Sequence, residues 1–141
     1  MSVISTLHIN FRGNAKEALE FYHSVFGGDI ILAPYGDFES GQSAAQSDQI
    51  VWGQVQAPSG FHIMAYDVQD SLPYAPGENA FYVSLRSTET EEIEKLGNAL
   101  ATSEGVTIHV PFGPSVFSPL YGKLTDRFGV TWIIDVIAPW G

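Results

Sequence analysis

Cysteine is absent from this chain. A disulfide framework, thiolate zinc sites, iron–sulfur clusters and a cysteine nucleophile are therefore all excluded. Cations are scarce: six Lys and Arg stand against sixteen Asp and Glu, for a formal net charge of −10. Such a surface repels phosphate backbones and anionic headgroups, which argues against nucleic acid and membrane partners. No apolar run approaches the roughly 18 residues that span a bilayer. No basic start followed by an apolar stretch marks a signal peptide, so the expected location is the cytoplasm.

Several nucleotide and catalytic signatures are missing too. There is no Gly-x-x-x-x-Gly-Lys cradle, no dinucleotide fingerprint and no Gly-x-Ser-x-Gly elbow. The acids between Glu89 and Glu94 read as a solvated helix face, not a catalytic pair.

What is present is apolar and aromatic. Hydrophobic residues make up 45% of the 141 residues and aromatics 13%, enough for one folded domain with a real core. The most informative segment runs from Phe11 to Gly28. A strand is expected from Val3 to Phe11, with Leu7, Ile9 and Phe11 on one face and Thr6, His8 and Asn10 on the other. Asn14 is placed to cap a helix, with Glu17 three residues on. Ala15, Ala18, Leu19, Tyr22, Val25 and Phe26 recur at helical spacing, and Gly27-Gly28 ends the run. Strands are expected at Asp29 to Pro34, Gln49 to Ala57 and Phe61 to Asp67, the last two joined by the turn Pro58-Ser59-Gly60. Gly36 to Asp48 reads as a polar loop, either a plain surface loop or a flap.

Val68 to Glu78 carries three breakers, Pro73, Pro76 and Gly77, and reads as a linker. The plan then repeats. Asn79 to Ser87 is an expected strand, with Phe81, Val83 and Leu85 on the apolar face. Thr88 and Glu91 form an expected capping box, and Ile93, Leu96, Gly97 and Leu100 the buried stripe of a second helix. Strands at Val106 to Val110, Leu120 to Thr125 and Val130 to Ile137 complete it, with a turn at Asp126 to Gly129. The fold class is α+β, a single domain over 1–141: two βαβββ modules, about 1–67 and 79–141, joined by the linker 68–78. Pairing two such modules would curl their uncovered sheet faces into a cup.

The stretches Phe11-x-Gly-Asn-x-x-Glu-Ala-x-x-Phe-Tyr-x-x-Val-Phe-Gly-Gly28 and Leu124-Thr-Asp-Arg-Phe-Gly-Val-Thr-Trp132, with this element order, resemble the vicinal oxygen chelate superfamily. That superfamily holds glyoxalase I, bleomycin-resistance proteins and extradiol dioxygenases; the chain looks most like its PhnB-like branch. The resemblance implies a homodimer. It also implies a divalent metal in catalytic members, held by four ligands, mostly His, Glu or Gln. Those positions fall here on Thr6 or His8, on Met64, on Tyr82 and near Ile133, where metal-binding relatives carry a Glu. Methionine and isoleucine do not serve zinc, nickel or iron(II), and neutral tyrosine serves poorly. No metal and no other cofactor is therefore expected.

The candidate ligand-binding residues of the cup are His8, Asn10, Trp52, His62, Met64, Tyr82, Ser84, Arg86, Phe117 and Tyr121. His8 and His62 offer a possible acid–base pair; ordinary polar strand residues are the alternative. Trp52, Met64, Tyr66, Tyr82, Phe117, Tyr121 and Trp132 either stack a planar ligand or fill the core. Arg86 either clamps a carboxylate or phosphate or pairs with a nearby acid. His23 and His109 are expected at the surface. The favoured function is binding of a small, partly apolar molecule without a metal. The alternatives are a glyoxalase-type lyase, isomerase or dioxygenase, and a structural dimer with a closed cup. No catalytic residue is assigned.

Overall fold

The computed structural model describes residues 2–38 and 44–138. Their contacts divide the chain into two compact units, 1–76 and 77–141. Each unit is a helix on one four-stranded sheet, in the order strand, helix, three strands. Among the described residues no helix is long and apolar enough to cross a membrane.

In the first unit β1 spans Leu7–Phe11, α1 Ala15–Phe26, β2 Asp29–Pro34, β3 Ile50–Gln56 and β4 His62–Asp67. The sheet order is β1-β4-β3-β2, with β1 and β4 parallel and the other pairs antiparallel. The strand expected from Val3 starts four residues later; Val3 and Ile4 are 92% and 81% exposed, with no strand pairing. Alternation sends Phe11, Val55, Ile63 and Ala65 under the helix, where each is buried. Ala15, Ala18, Leu19, Tyr22 and Phe26 of α1 are the buried stripe, while Val25 is only half-buried. Burying a side chain such as Leu19 is worth roughly 1.5–3 kcal/mol. Its close approach depends on Gly53, where a Cβ would fall 2.6 Å from Leu19 Cδ1.

The expected Asn14 cap is not made: the Asn14 side chain has no capping hydrogen bond. The capping carboxylate comes from Asp67 at the far end of β4. Its Oδ1 accepts the N–H groups of Gly13 (2.6 Å) and Ala15 (3.1 Å), and its Oδ2 that of Ile50 (2.8 Å). At the other end Gly28 is indispensable: its φ is +85°, and a Cβ there would lie 2.1 Å from the Gln56 carbonyl oxygen.

Part of the expected polar loop is tied down. Tyr35–Asp37 and Ala44–Gln46 are single 3-10 turns. Gln46 is buried, donates to the Val68 carbonyl and to Gln49 Oε1, and accepts from the Asp70 N–H. Those bonds anchor this end of the loop to residues 49, 68 and 70; residues 39–43 lie outside the described set. Arg12 closes the same corner by donating to the carbonyls of Val68, Gln69 and Leu72.

In the second unit β5 spans Val83–Ser87, α2 Thr90–Ala101, β6 Thr107–Ser115, β7 Ser118–Thr125 and β8 Thr131–Val136, with sheet order β5-β8-β7-β6. Strands β6 and β7 run longer than their sequence signal and meet in a tight hairpin at Val116 and Phe117. The expected Thr88–Glu91 box is replaced. Ser87 Oγ accepts the Glu89 N–H and donates to Glu92, five residues on, so Ser87 and Glu92 flank the expected pair. Phe81, expected on the apolar face, precedes the strand and is 91% exposed. Helix α2 buries Ile93, Gly97 and Leu100, with Leu96 half-buried.

Candidate functional site

Helices cover one face of each sheet. The opposite faces collect nearly every candidate residue, and β-strand alternation is the reason. The two faces are described one at a time.

On the first sheet the register sets up a row across all four strands: Ile31, Gln54, Met64 and His8. Ala33 pairs with Trp52 on the next row, and Asn10 with Tyr66. Trp52 and Ile31 are exposed at 39% and 41%, too much for packed core. His8 is exposed and meets Tyr66 edge-on, with ring centroids 5.7 Å apart. His62 lies on the same face, diagonal to His8, and its ring nitrogens are already engaged. Nε2 is 2.9 Å from Gln54 Oε1 and Nδ1 is 3.3 Å from Thr6 Oγ1. With Gln54 accepting through its carbonyl oxygen, the proton sits on Nε2 and Thr6 donates to Nδ1. The two histidines therefore do not form a hydrogen-bonded pair. Asn10 is exposed, and its backbone carbonyl accepts from Tyr74 at 3.4 Å.

On the second sheet the matching row is Val110, Lys123, Ile133 and Ser84. Arg86 is paired: Nε lies 3.0 Å from Asp135 Oδ1, and Nη2 lies 3.2 Å from Oδ2. This bidentate contact and the facing charge raise the Arg86 pKa above its usual value. Of the two roles open to Arg86, the ion pair is the one formed. Tyr82 precedes β5, is 41% exposed, and donates to Asn79 Oδ1 at 2.8 Å. Phe117, at the hairpin tip, stands edge-on to Tyr121 with centroids 4.8 Å apart. Trp132 belongs to neither face. It is fully buried, and its indole N–H is held 3.0 Å from Asp126 Oδ2, so it is a core residue and no part of a pocket.

Three residues on these faces escape motif reading: Gln54, Lys123 and Asp135. The signal for them was plain alternation, since each lies two residues from another residue of the same face.

The positions that the resemblance assigns to metal ligands can be tested against the register. His8 stands directly beside Met64. In the second sheet the partner of Ile133 is Ser84, while Tyr82 lies outside the strand, so Ser84 replaces Tyr82 in the comparison. The first sheet then offers an imidazole and a thioether at these positions, and the second a hydroxyl and a hydrocarbon. Neither pair suits a divalent cation that wants imidazole and carboxylate. Among the described residues no three His, Cys, Asp or Glu side chains converge as metal ligands.

Known proteins share this arrangement. Protein PA1353 from Pseudomonas aeruginosa is 34% identical in sequence, with a TM-score of 0.81; the match covers 96% of this chain and 98% of that one. A Bacillus cereus PhnB protein, named as a putative 3-demethylubiquinone-9 3-methyltransferase, is 25% identical with a TM-score of 0.69, over 95% of this chain and 99% of that one. Protein YjdN of Escherichia coli (strain K12) is 25% identical over 140 residues, 92% of each chain. Residues 6–134 match the model of one family, and the chain thus belongs to the Glyoxalase/Bleomycin resistance protein/Dioxygenase superfamily.

Proposed function

We propose that this protein binds a small, partly apolar molecule on its sheet faces and does so without a metal. The observation that carries the reading is the first sheet's outer face. Trp52, Ile31, Met64 and Tyr66 present apolar and aromatic surface, and the Thr6–His62–Gln54 hydrogen-bonded chain fixes a few polar atoms beside it. Ligand sites have that composition: mostly apolar lining with a few oriented polar groups. The residues at the inherited ligand positions support the metal-free part.

Fluorescence titration with planar aromatic probes tests the binding. Quenching is expected in a Trp140→Phe background, and Trp52→Phe should remove it there, because Trp132 is buried. Unchanged emission across the panel, together with no shifted amide signals, opposes the reading. Elemental analysis of protein purified without chelator tests the metal: stoichiometric zinc, nickel, manganese or iron would favour a glyoxalase- or dioxygenase-type enzyme instead.

We further propose a homodimer. The superfamily resemblance supports it, and Val3, Ile4, Phe81 and Val116, between 81% and 94% exposed, are apolar side chains that such an interface would cover. Light scattering giving a monomer mass at micromolar concentration would refute it.

A further inference from the structure

The six cationic side chains are a small set, and three have evident occupations. Arg12 is spent on the carbonyls of residues 68, 69 and 72. Arg86 is spent on Asp135, Arg127 lies over the Phe128 ring, and Lys95 sits exposed on α2. Lys16 is likewise exposed on α1. Lys123 is different. It stands half-buried in the middle of β7, on the face away from the helix, with Ile133 beside it and Ser84 one strand further. Among the described residues it pairs with no carboxylate, in a chain carrying sixteen of them.

Its position is nevertheless set. The ammonium lies 4.6 Å from the Tyr82 ring centroid, a cation–π distance, and donates to the Tyr82 oxygen at 3.4 Å. The Tyr82 hydroxyl proton is committed to Asn79 Oδ1. Asn79 is the one described non-glycine residue with positive φ, at +56°. Asparagine adopts that region more readily than other side-chain-bearing residues, which lets the chain turn just before Tyr82. A chain of three residues thus aims one ammonium and leaves two of its three N–H donors without a protein acceptor among the described residues. Asp135, on the neighbouring row, is already neutralised by Arg86 and does not compete for it.

We propose that Lys123 is an anion-recognising group on the outer face of the second sheet, so that a molecule bound on that face carries a carboxylate or another small oxyanion next to an apolar part that rests on Val110 and Ile133. Tyr82 acts as the positioning residue that aims the ammonium, and Ser84 supplies a hydroxyl on the same row. The inference rests on the small-molecule reading above and adds the charge of the ligand. The overall charge of −10 repels anions at long range, so recognition here has to be local.

The test is a titration of the full chain followed by amide chemical shifts, with three probes of one shape: benzoate, phenyl phosphate and neutral benzamide. Benzoate or phenyl phosphate is expected to bind more tightly than benzamide and to move the amides of Tyr82, Lys123 and Ile133. Lys123→Met should weaken the anions by about tenfold while leaving benzamide unchanged, the effect of losing one charge-assisted contact. Lys123→Arg should restore the preference, and Tyr82→Phe should weaken it by a smaller factor. A thermal melt controls for folding; a purely structural Lys123 would lower the melting temperature and leave the anion preference intact. Equal binding of benzamide and the anions, or anion affinity unmoved in Lys123→Met, overturns the anion role while the binding reading stands. Failure of all three probes counts against both.

Discussion

The carboxylate of Asp67 caps the helix that begins at Ala15, across 52 residues of sequence, with Oδ1 3.1 Å from the Ala15 nitrogen. The residue that propensity nominates, Asn14, makes no such bond. The same carboxylate holds the N–H of Ile50, so one side chain ties α1, β3 and β4 together.

Asp67→Ala should therefore be far more damaging than Asn14→Ala. It leaves the Gly13, Ala15 and Ile50 N–H groups without their acceptor, at about 1–3 kcal/mol for each that stays dry. A loss of roughly 3 kcal/mol or more is expected, against about 0.5 kcal/mol for Asn14→Ala. Urea unfolding of both variants decides it; equal losses would mean that Asp67 is not the cap.

Tyr35 predicts an alkaline limit to stability. Its hydroxyl donates to the Asp67 carbonyl at 2.6 Å, and burial, followed by the charges of nearby groups, raises its pKa above the usual 10.0. The folded state holds this proton more tightly than the unfolded chain. The contribution is complete below pH 10.0 and is lost as the pH climbs from there through the raised value. Tyr35→Phe should flatten stability against pH in that window and cost about 1 kcal/mol at neutrality for the missing hydrogen bond. Denaturant midpoints measured from pH 8 to 11 are the check; an unaltered alkaline slope would refute the assignment.

Gly97 offers a case where helix propensity and packing pull in opposite directions. Gly→Ala inside a helix ordinarily gains about 1 kcal/mol. Here a Cβ would lie 2.3 Å from Phe112 Cζ, and the same ring is already 3.0 Å from the Cβ position of Gly122. The ring has little room to retreat, so Gly97→Ala should lose stability by about 1–3 kcal/mol. Gly97→Ala combined with Phe112→Leu should recover part of it. A more stable single variant would show that packing yields.

The two described tryptophans should separate by role. Trp132→Phe removes the indole N–H that Asp126 accepts and leaves a buried gap, for an expected loss of about 2–4 kcal/mol with blue-shifted emission lost. Trp52→Phe should change stability by less than about 1 kcal/mol and, with Trp140→Phe as background, remove the ligand-sensitive emission. Thermal melts and emission spectra of the two single variants test this; a marked loss of stability from Trp52→Phe would make it core.

The sequence by itself determined the element order and the faces. Period 3.6 placed Leu19 and Ile93 inward, period 2 set Met64 and Ser84 on the outer faces of their strands, and Gly27-Gly28 marked the end of α1. Those signals are local, because side-chain direction follows from backbone geometry alone. The matched segments around Phe11 and Trp132 carried the family for the same reason: they encode turns and packing. Tertiary structure decided what no window of sequence contains. It chose Asp67 over Asn14, gave Arg86 its acid, buried Trp132, set Ser84 opposite Ile133 and left Lys123 with a phenol for company. Each of these is a contact between strands or across long separations, and its energy depends on which atoms the register brings within reach.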